Sequence, residues 1–184
     1  MPDWDKRYSA NPFPQLREPS ALLAELLPTL PGGKALDLAC GEGRNAFFLG
    51  RNGYAVDAID SSQVVIERDK VVVDEEGVAV NFIHADLEGY TIPPSTYDLI
   101  INFYYLQRSL IPSIKTALKR GGIVLFETYT VEQVEMGPQR NRAYLLQPNE
   151  LLKMFGDLHI LFYREGVIEE DGKKAIASLA AKRL

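Results

Sequence analysis

DLACGEGRNA, residues 37–46, is where an apolar run stops at two closely spaced glycines and a helical pattern begins. Gly41 and Gly43 carry no Cβ, so the backbone can turn sharply there and a ligand can lie against it. The run that leads in, KALDLAC (34–40), has counterparts in YAVDAID (54–60), VAVNFIHAD (78–86), YDLIINF (97–103) and GIVLFETY (122–129). All are too continuous for half-exposed strands and read as strands buried on both faces, as in a parallel sheet covered by helices. Helical patterns separate them. Ser61 or Ser62 caps a helix running to about Glu76 with Gly77 as its left-handed stop, and Ser109 caps another that Gly121 ends. Asn149 starts a short helix ending near Gly156, and Ser20 to Leu27 forms one closed by Pro28. Two last strand candidates, 157–166 and 174–183, joined by EEDGK, suit an antiparallel hairpin at the sheet edge. The expected architecture is α/β, a doubly wound, seven-stranded, mostly parallel sheet with a C-terminal antiparallel hairpin.

The 184 residues fit one domain, 1–184, with 1–30 as an N-terminal helical cap. A net charge of −5 argues against a broad nucleic-acid or anionic-membrane footprint and favours small molecules as partners. Cys40 is the single cysteine, so neither an intrachain disulfide nor a cysteine-rich zinc site can form, and no metal site is expected. The start, MPDWDKRY, lacks the apolar core of a secretory signal, and no apolar run is long enough to span a membrane, so a cytoplasmic location is expected.

In open α/β sheets ligands bind outside the carboxyl ends of the strands. Those ends carry Asp37 and the glycine turn, Asp60, Asp86, Asn102 and Glu127. Asp60 follows the turn at the distance expected of a ribose-binding acid. Taken literally, Gly41-x-Gly43-x-x-Ala46 also satisfies the dinucleotide fingerprint. Electrostatics separate the possibilities. A pyrophosphate wants amide donors and no adjacent carboxylate, yet Asp37 leads into this turn and Glu42 sits inside it. S-adenosylmethionine brings an ammonium and a sulfonium, which carboxylates stabilise.

On these residues, LDLACGEGRNA together with WDKRY, AID, HADLE, YDLIINFYYLQRSL, LKRGG and LFETYT, the chain resembles class I S-adenosylmethionine-dependent methyltransferases. It is most similar to the small bacterial group of tellurite-resistance and thiopurine methyltransferases. The resemblance implies a Rossmann-like methyltransferase fold with S-adenosylmethionine as cofactor and a small-molecule methyl acceptor. It places Ala39 and Gly41 against the methionine part with Asp37 orienting the ammonium, and it gives Asp60 the ribose hydroxyls. Asp86 and the Leu87 amide fall to the adenine, and Asn102 stands beside the methyl group. Trp4, Tyr8 and Ser61 complete the expected cofactor-binding set. Cys40 reads as a packing residue rather than a nucleophile.

Methyl transfer is an in-line displacement, so alignment and exclusion of water carry most of it, and a base is needed only when the acceptor bears a proton at neutral pH. NFYYLQR (102–108) and YTVEQVEMGPQRNRAY (129–144) both emerge at the cofactor edge. They offer Tyr104, Arg108 and Arg142 as acceptor-side candidates, with Tyr105, Tyr129, Arg140 and Tyr144 beside them. His84 reads as a structural hydrogen-bonding group, and His159 is expected far from the methyl group. This departs from the tellurite-resistance enzymes, which the resemblance credits with a histidine near the acceptor. NFYY (102–105) shares only its first and last letters with the motif of adenine-amino methyltransferases. Trp4, Arg7 and Tyr8, at helical spacing, form either a lid over the cofactor or an aromatic staple that anchors the terminus. The rival reading is a non-catalytic cofactor-binding or sensing domain. A dinucleotide module would need a second domain for its chemistry. A monomer or homodimer is expected.

Overall fold

The computed structural model describes residues 4–10, 18–136, 141–169 and 172–184. Seven strands form one sheet: β1 Lys34–Leu38, β2 Ala55–Asp60, β3 Val80–His84, β4 Tyr97–Phe103, β5 Leu118–Tyr129, β6 His159–Glu169 and β7 Lys173–Lys182, in the order β3-β2-β1-β4-β5-β7-β6. The first five are parallel neighbours, and β7 inserts antiparallel between β5 and β6. The tip of that hairpin, residues 170–171, lies outside the described residues. The chain leaves β1 towards β2 and β3, then returns to lay β4 on its other side, which makes the carboxyl ends of β1 and β4 the topological switch point.

Strand periodicity divides the core in two. Leu36, Ile100, Val124, Phe126 and Leu179 share a cluster with Ile111 and Ile114 of α5 (Ile111–Ala117) and Leu151 of α6 (Glu150–Met154). On the opposite face Ala35, Ala58, Leu99, Ile101 and Leu125 meet Phe47 and Leu49 of α3 (Arg44–Arg51), Val65 and Ile66 of α4 (Gln63–Glu76), and Leu22 and Leu23 of α2 (Ala21–Leu26). Apolar side chains on both faces explain the unbroken apolar runs of the central strands. The remaining helix, α1 (Trp4–Ser9), buries no residue fully and lies against α4. Among the described residues no helix is long and apolar enough to cross a membrane.

Ser62 caps α4, its hydroxyl accepting from the Val65 amide at 3.4 Å, and Gly77 closes the helix at φ +65°. Ser109 does not cap α5. It lies inside a 3-10 turn, Arg108–Leu110, and the helix opens at Ile111 and Pro112, whose ring presets the first-turn backbone and removes an amide that would lack a partner. Nor does that helix run to Gly121: Leu118 is already extended, and β5 begins there with an irregular register against β4. Pro28 sits within a 3-10 turn, Leu27–Thr29, that prolongs α2 rather than stopping it.

Candidate functional site

Beyond Leu38 the chain turns through three left-handed residues: Ala39 at φ +55°, Gly41 at +55° and Gly43 at +65°. Glycine adopts this conformation freely, whereas Ala39 holds it at a steric cost, a pattern that clusters at functional sites. Two links fix the turn to the neighbouring strand. Cys40 N–H donates to Ile59 O at 2.9 Å, and the Asp60 carboxylate accepts from Gly41 N–H at 2.9 Å through one oxygen and from Ser62 N–H at 2.9 Å through the other. Asp60 therefore ties the β1–α3 turn to the β2–α4 turn. Each of its oxygens retains a second lone pair.

Acidic groups surround this turn. Asp37 is 2% exposed and its Oδ2 has no hydrogen-bond partner. Burial, reinforced by the Asp60 charge, pushes its carboxyl up to about 8, against a lowering influence from Arg44. Asp60 is also raised, chiefly by burial, although the Ser62, Gly41 and Ser61 amides oppose the shift. The sequence reading missed Asp69, which burial pushes up to about 7 and whose carboxylate oxygens both lack hydrogen-bond partners. Its spacing from Val65 and Ile66 puts it on the buried face of α4, a signal available in the sequence. Cys40 is partly buried, and burial with the nearby acids raises its thiol, the reverse of an activated nucleophile.

The N-terminal helix stands over this turn. Tyr8 Oη lies 2.9 Å from where a Cβ on Gly41 would be, and burial beside Asp60 raises its phenol well above the ordinary range. Asp5 Oδ1 accepts from Ser62 Oγ at 2.6 Å and lies 3.4 Å from Val64 N, so a carboxylate meets the positive end of α4. Trp4 packs on Tyr8 with ring centroids 6.3 Å apart, and Arg7 stacks over the indole.

Farther along the strand ends, Asp86 Oδ1 accepts from the Glu88 amide at 2.9 Å, and Leu87 is buried in the core beside it. Ser61 is exposed, and its carbonyl lies 3.1 Å from His84 Nε2, giving that histidine a hydrogen-bonding contact. Asn102, 1% exposed, donates to Tyr105 O at 2.7 Å. His159 starts β6 opposite Lys182, at the end of the sheet away from the turn.

The acceptor-side candidates separate. Tyr104 stands at the carboxyl end of β4, packed on the same apolar cluster as Tyr8 and Cys40. Arg108 is committed elsewhere: its guanidinium donates to both Glu150 oxygens at 2.6 and 2.9 Å, to Ala143 O at 2.7 Å and to Leu145 O at 2.9 Å. The expectation that it grips an acceptor is corrected to a structural clamp on the 141–150 segment. Sequence could not show this, because Glu150 is 42 residues away. Arg142 is exposed in the 3-10 turn Arg142–Tyr144, and Arg140 lies outside the described residues. The fold also brings Arg164 of β6 beside β5 and β7, its guanidinium 3.6 Å from Glu127 Oε2.

Across residues 16–175 the chain matches the family model described as tellurite resistance protein TehB. The chain belongs to the TehB family. It is 27% identical over 143 residues to the probable S-adenosyl-L-methionine-dependent methyltransferase TehB of Haemophilus influenzae, a match covering 74% of this chain and 49% of that protein. A protein named hemagglutinin 1 from Eikenella corrodens is 26% identical over 152 residues, covering 79% of this chain and 50% of the other. This TehB-family chain thus spans about half the length of these curated relatives. Its fold is that of the crystal structure of TehB from Haemophilus influenzae, at a TM-score of 0.79 and 21% identity, covering 98% of this chain and 66% of that one. The expected Rossmann-like methyltransferase fold, with its antiparallel C-terminal hairpin, is the fold observed.

Proposed function

We propose that this protein is a methyltransferase that uses S-adenosylmethionine to methylate a small-molecule acceptor. The observation that carries the reading is the unpartnered, buried Oδ2 of Asp37 below a left-handed turn whose rim is carboxylate-rich. Such an oxygen suits a cation, whose charge favours its ionised form. Membership of the TehB family supports the same choice.

In this reading Asp37, with the backbone of Ala39 and Gly41, receives the methionine ammonium. Asp60, already oriented by two amides, offers its remaining lone pairs to the ribose hydroxyls beside Ser61. Asp86 and the Leu87 amide flank the adenine, and Asn102 fixes the loop that passes the methyl group. Tyr8 and Trp4 close the site from α1 and exclude water, which favours a displacement that disperses charge. When bound, the cofactor supplies an electrophilic methyl group on a sulfonium. Arg142 at the rim and Tyr104 at the end of β4 remain the acceptor-side groups.

The test is calorimetry with S-adenosylmethionine, its demethylated product and NADH. Tight binding of NADH alone would end the reading. Asp37 adds a sign-specific result. Because its folded-state pKa is raised to about 8, its contribution to stability is complete below the ordinary carboxylate range and is lost as pH rises through about 8. A cation placed beside it favours the ionised form, so binding of S-adenosylmethionine near neutral pH is expected to release a proton. That release appears as a binding enthalpy that varies with the ionisation enthalpy of the buffer. Asp37→Asn should reduce the variation and remove Asp37's share of the pH dependence of stability, while Asp69, also raised by burial, keeps its own. A buffer-independent enthalpy in the wild type would show that the ammonium lies elsewhere.

The lid has its own test. Deleting residues 1–10 is expected to weaken cofactor binding while the far-ultraviolet spectrum and unfolding transition persist, since α1 buries no residue fully. Unchanged affinity would make Trp4 and Tyr8 an anchor for the terminus only. Radiolabel transfer across thiols, phenols, selenite and tellurite then separates an enzyme from a sensor, which would bind without transferring.

A further inference from the structure

One buried carboxylate at the same edge of the sheet has no part in holding the cofactor. Glu127, 1% exposed, lies on β5 in register with Ser178 of β7, which in turn lies in register with Arg164 of β6. Ser178 Oγ donates to Glu127 Oε2 at 2.7 Å, and Tyr104 Oη donates to Glu127 Oε1 at 3.0 Å. A second bond fixes the same pair, Tyr104 N–H donating to Glu127 O at 2.8 Å. Tyr104 makes both with a left-handed backbone at φ +61°, an unfavourable conformation for a bulky side chain of the kind that clusters at functional sites. Among the described residues, the charged and titratable groups facing the pair include Arg164 near Glu127, Lys174 Nζ 5.5 Å from the centre of the Tyr104 ring, and the Tyr129 ring 5.0 Å from it.

Even with Arg164 3.6 Å from it and two hydroxyls donating to it, a carboxylate buried solely to pin a strand would be a costly solution, because such partners must offset the loss of its hydration. Its position explains it better. Tyr104 is half-buried at the switch point, with its hydroxyl turned to the carboxylate, and a phenol that donates in one direction can accept in another.

Resting on the methyltransferase reading, we propose that Tyr104, backed by Glu127, relays a proton away from the acceptor, so that the physiological acceptor is a hydroxyl or thiol that loses its proton on methylation. In the step, the acceptor oxygen or sulfur forms a bond to the methyl carbon while the bond from that carbon to the sulfonium breaks, its electron pair staying on sulfur. The acceptor's proton passes to Tyr104 Oη, and the phenol's own proton passes to Glu127 Oε1. The positive charge of the sulfonium and the negative charge of Glu127 disappear together, so atoms and charge balance. Ser178 and Arg164 are positioning residues that hold the carboxylate.

The experiment measures methyl transfer from labelled S-adenosylmethionine to catechol, 2-mercaptoethanol, selenite and tellurite, using the full chain, Tyr104→Phe and Glu127→Gln. Calorimetric cofactor affinity is recorded for each. Transfer is expected to catechol or 2-mercaptoethanol, with kcat falling on the order of 100-fold or more in both variants, the loss typical of removing general-base assistance. Cofactor affinity should stay at the wild-type value, and the acidic limb of the wild-type kcat–pH profile should vanish in Glu127→Gln. Transfer to selenite or tellurite alone, transfer to none of the four, or variants with wild-type rates and pH profiles would overturn the relay. Failure of the wild type to bind S-adenosylmethionine at all would be a separate result, defeating the methyltransferase reading beneath it.

Discussion

Replacing Asp60 by alanine is expected to lower both the melting temperature and the cofactor affinity. The carboxylate is 7% exposed and accepts from the Gly41 and Ser62 amides, so its removal leaves two backbone donors without partners inside the site. Each such loss costs about 1–3 kcal/mol when water cannot replace the acceptor, and partial hydration of the opened turn puts the total at about 2–4 kcal/mol. Cofactor affinity should fall by a further ~1.5–3 kcal/mol, the scale of hydrogen bonds to a charged group. Asp60→Asn should be intermediate: it keeps one acceptor but turns an NH2 group towards a backbone N–H. Thermal unfolding and calorimetry on the same samples separate the two losses. A stable Asp60→Ala protein with wild-type affinity would remove Asp60 from both roles.

Gly43→Ala should be the most destabilising change in the turn. A Cβ at Gly43 would lie 2.6 Å from Phe82 Cζ and 3.0 Å from Phe47 Cε2, and these rings are themselves packed at 5.3 Å and almost wholly buried. Left-handed backbone costs a non-glycine residue roughly 1–2 kcal/mol, and overpacking a core typically adds about 1–3, so about 2–5 kcal/mol is expected. Gly77→Ala separates the contributions. Its φ is also +65°, but no atom lies within 4 Å of the point a Cβ would occupy there, so only the backbone penalty should appear. Equal losses at the two sites in denaturant unfolding would show that the two phenylalanines yield and that packing beneath the turn is loose.

The contrast between these glycines shows how the site is encoded. Both are conspicuous as turn residues, since a helix stop and a sharp strand-to-helix turn are local demands on φ. Only Gly43 meets aromatic rings, and one of them comes from β3, dozens of residues later. The acids behave similarly. Asp60 is legible from its distance beyond the turn, but its part as the tie between two turns depends on β2 lying beside β1. Asp69 carries a usable signal in its helical spacing from Val65 and Ile66, whereas nothing in the sequence places Arg164 near Glu127.

Apolar continuity, the glycine spacing and the two caps of α4 by themselves determined a covered parallel sheet with a ligand edge, because each is an interaction among residues within a few positions of one another. Tertiary structure decided which polar side chains share that edge. Arg108 was drawn into a clamp by Glu150, and Glu127 was joined to Tyr104, Ser178 and Arg164, by strand order and hairpin register. The hydrogen-bonded pairs among them bridge separations of 23 to 51 residues only after the chain has closed on itself, and no local preference of the backbone specifies them.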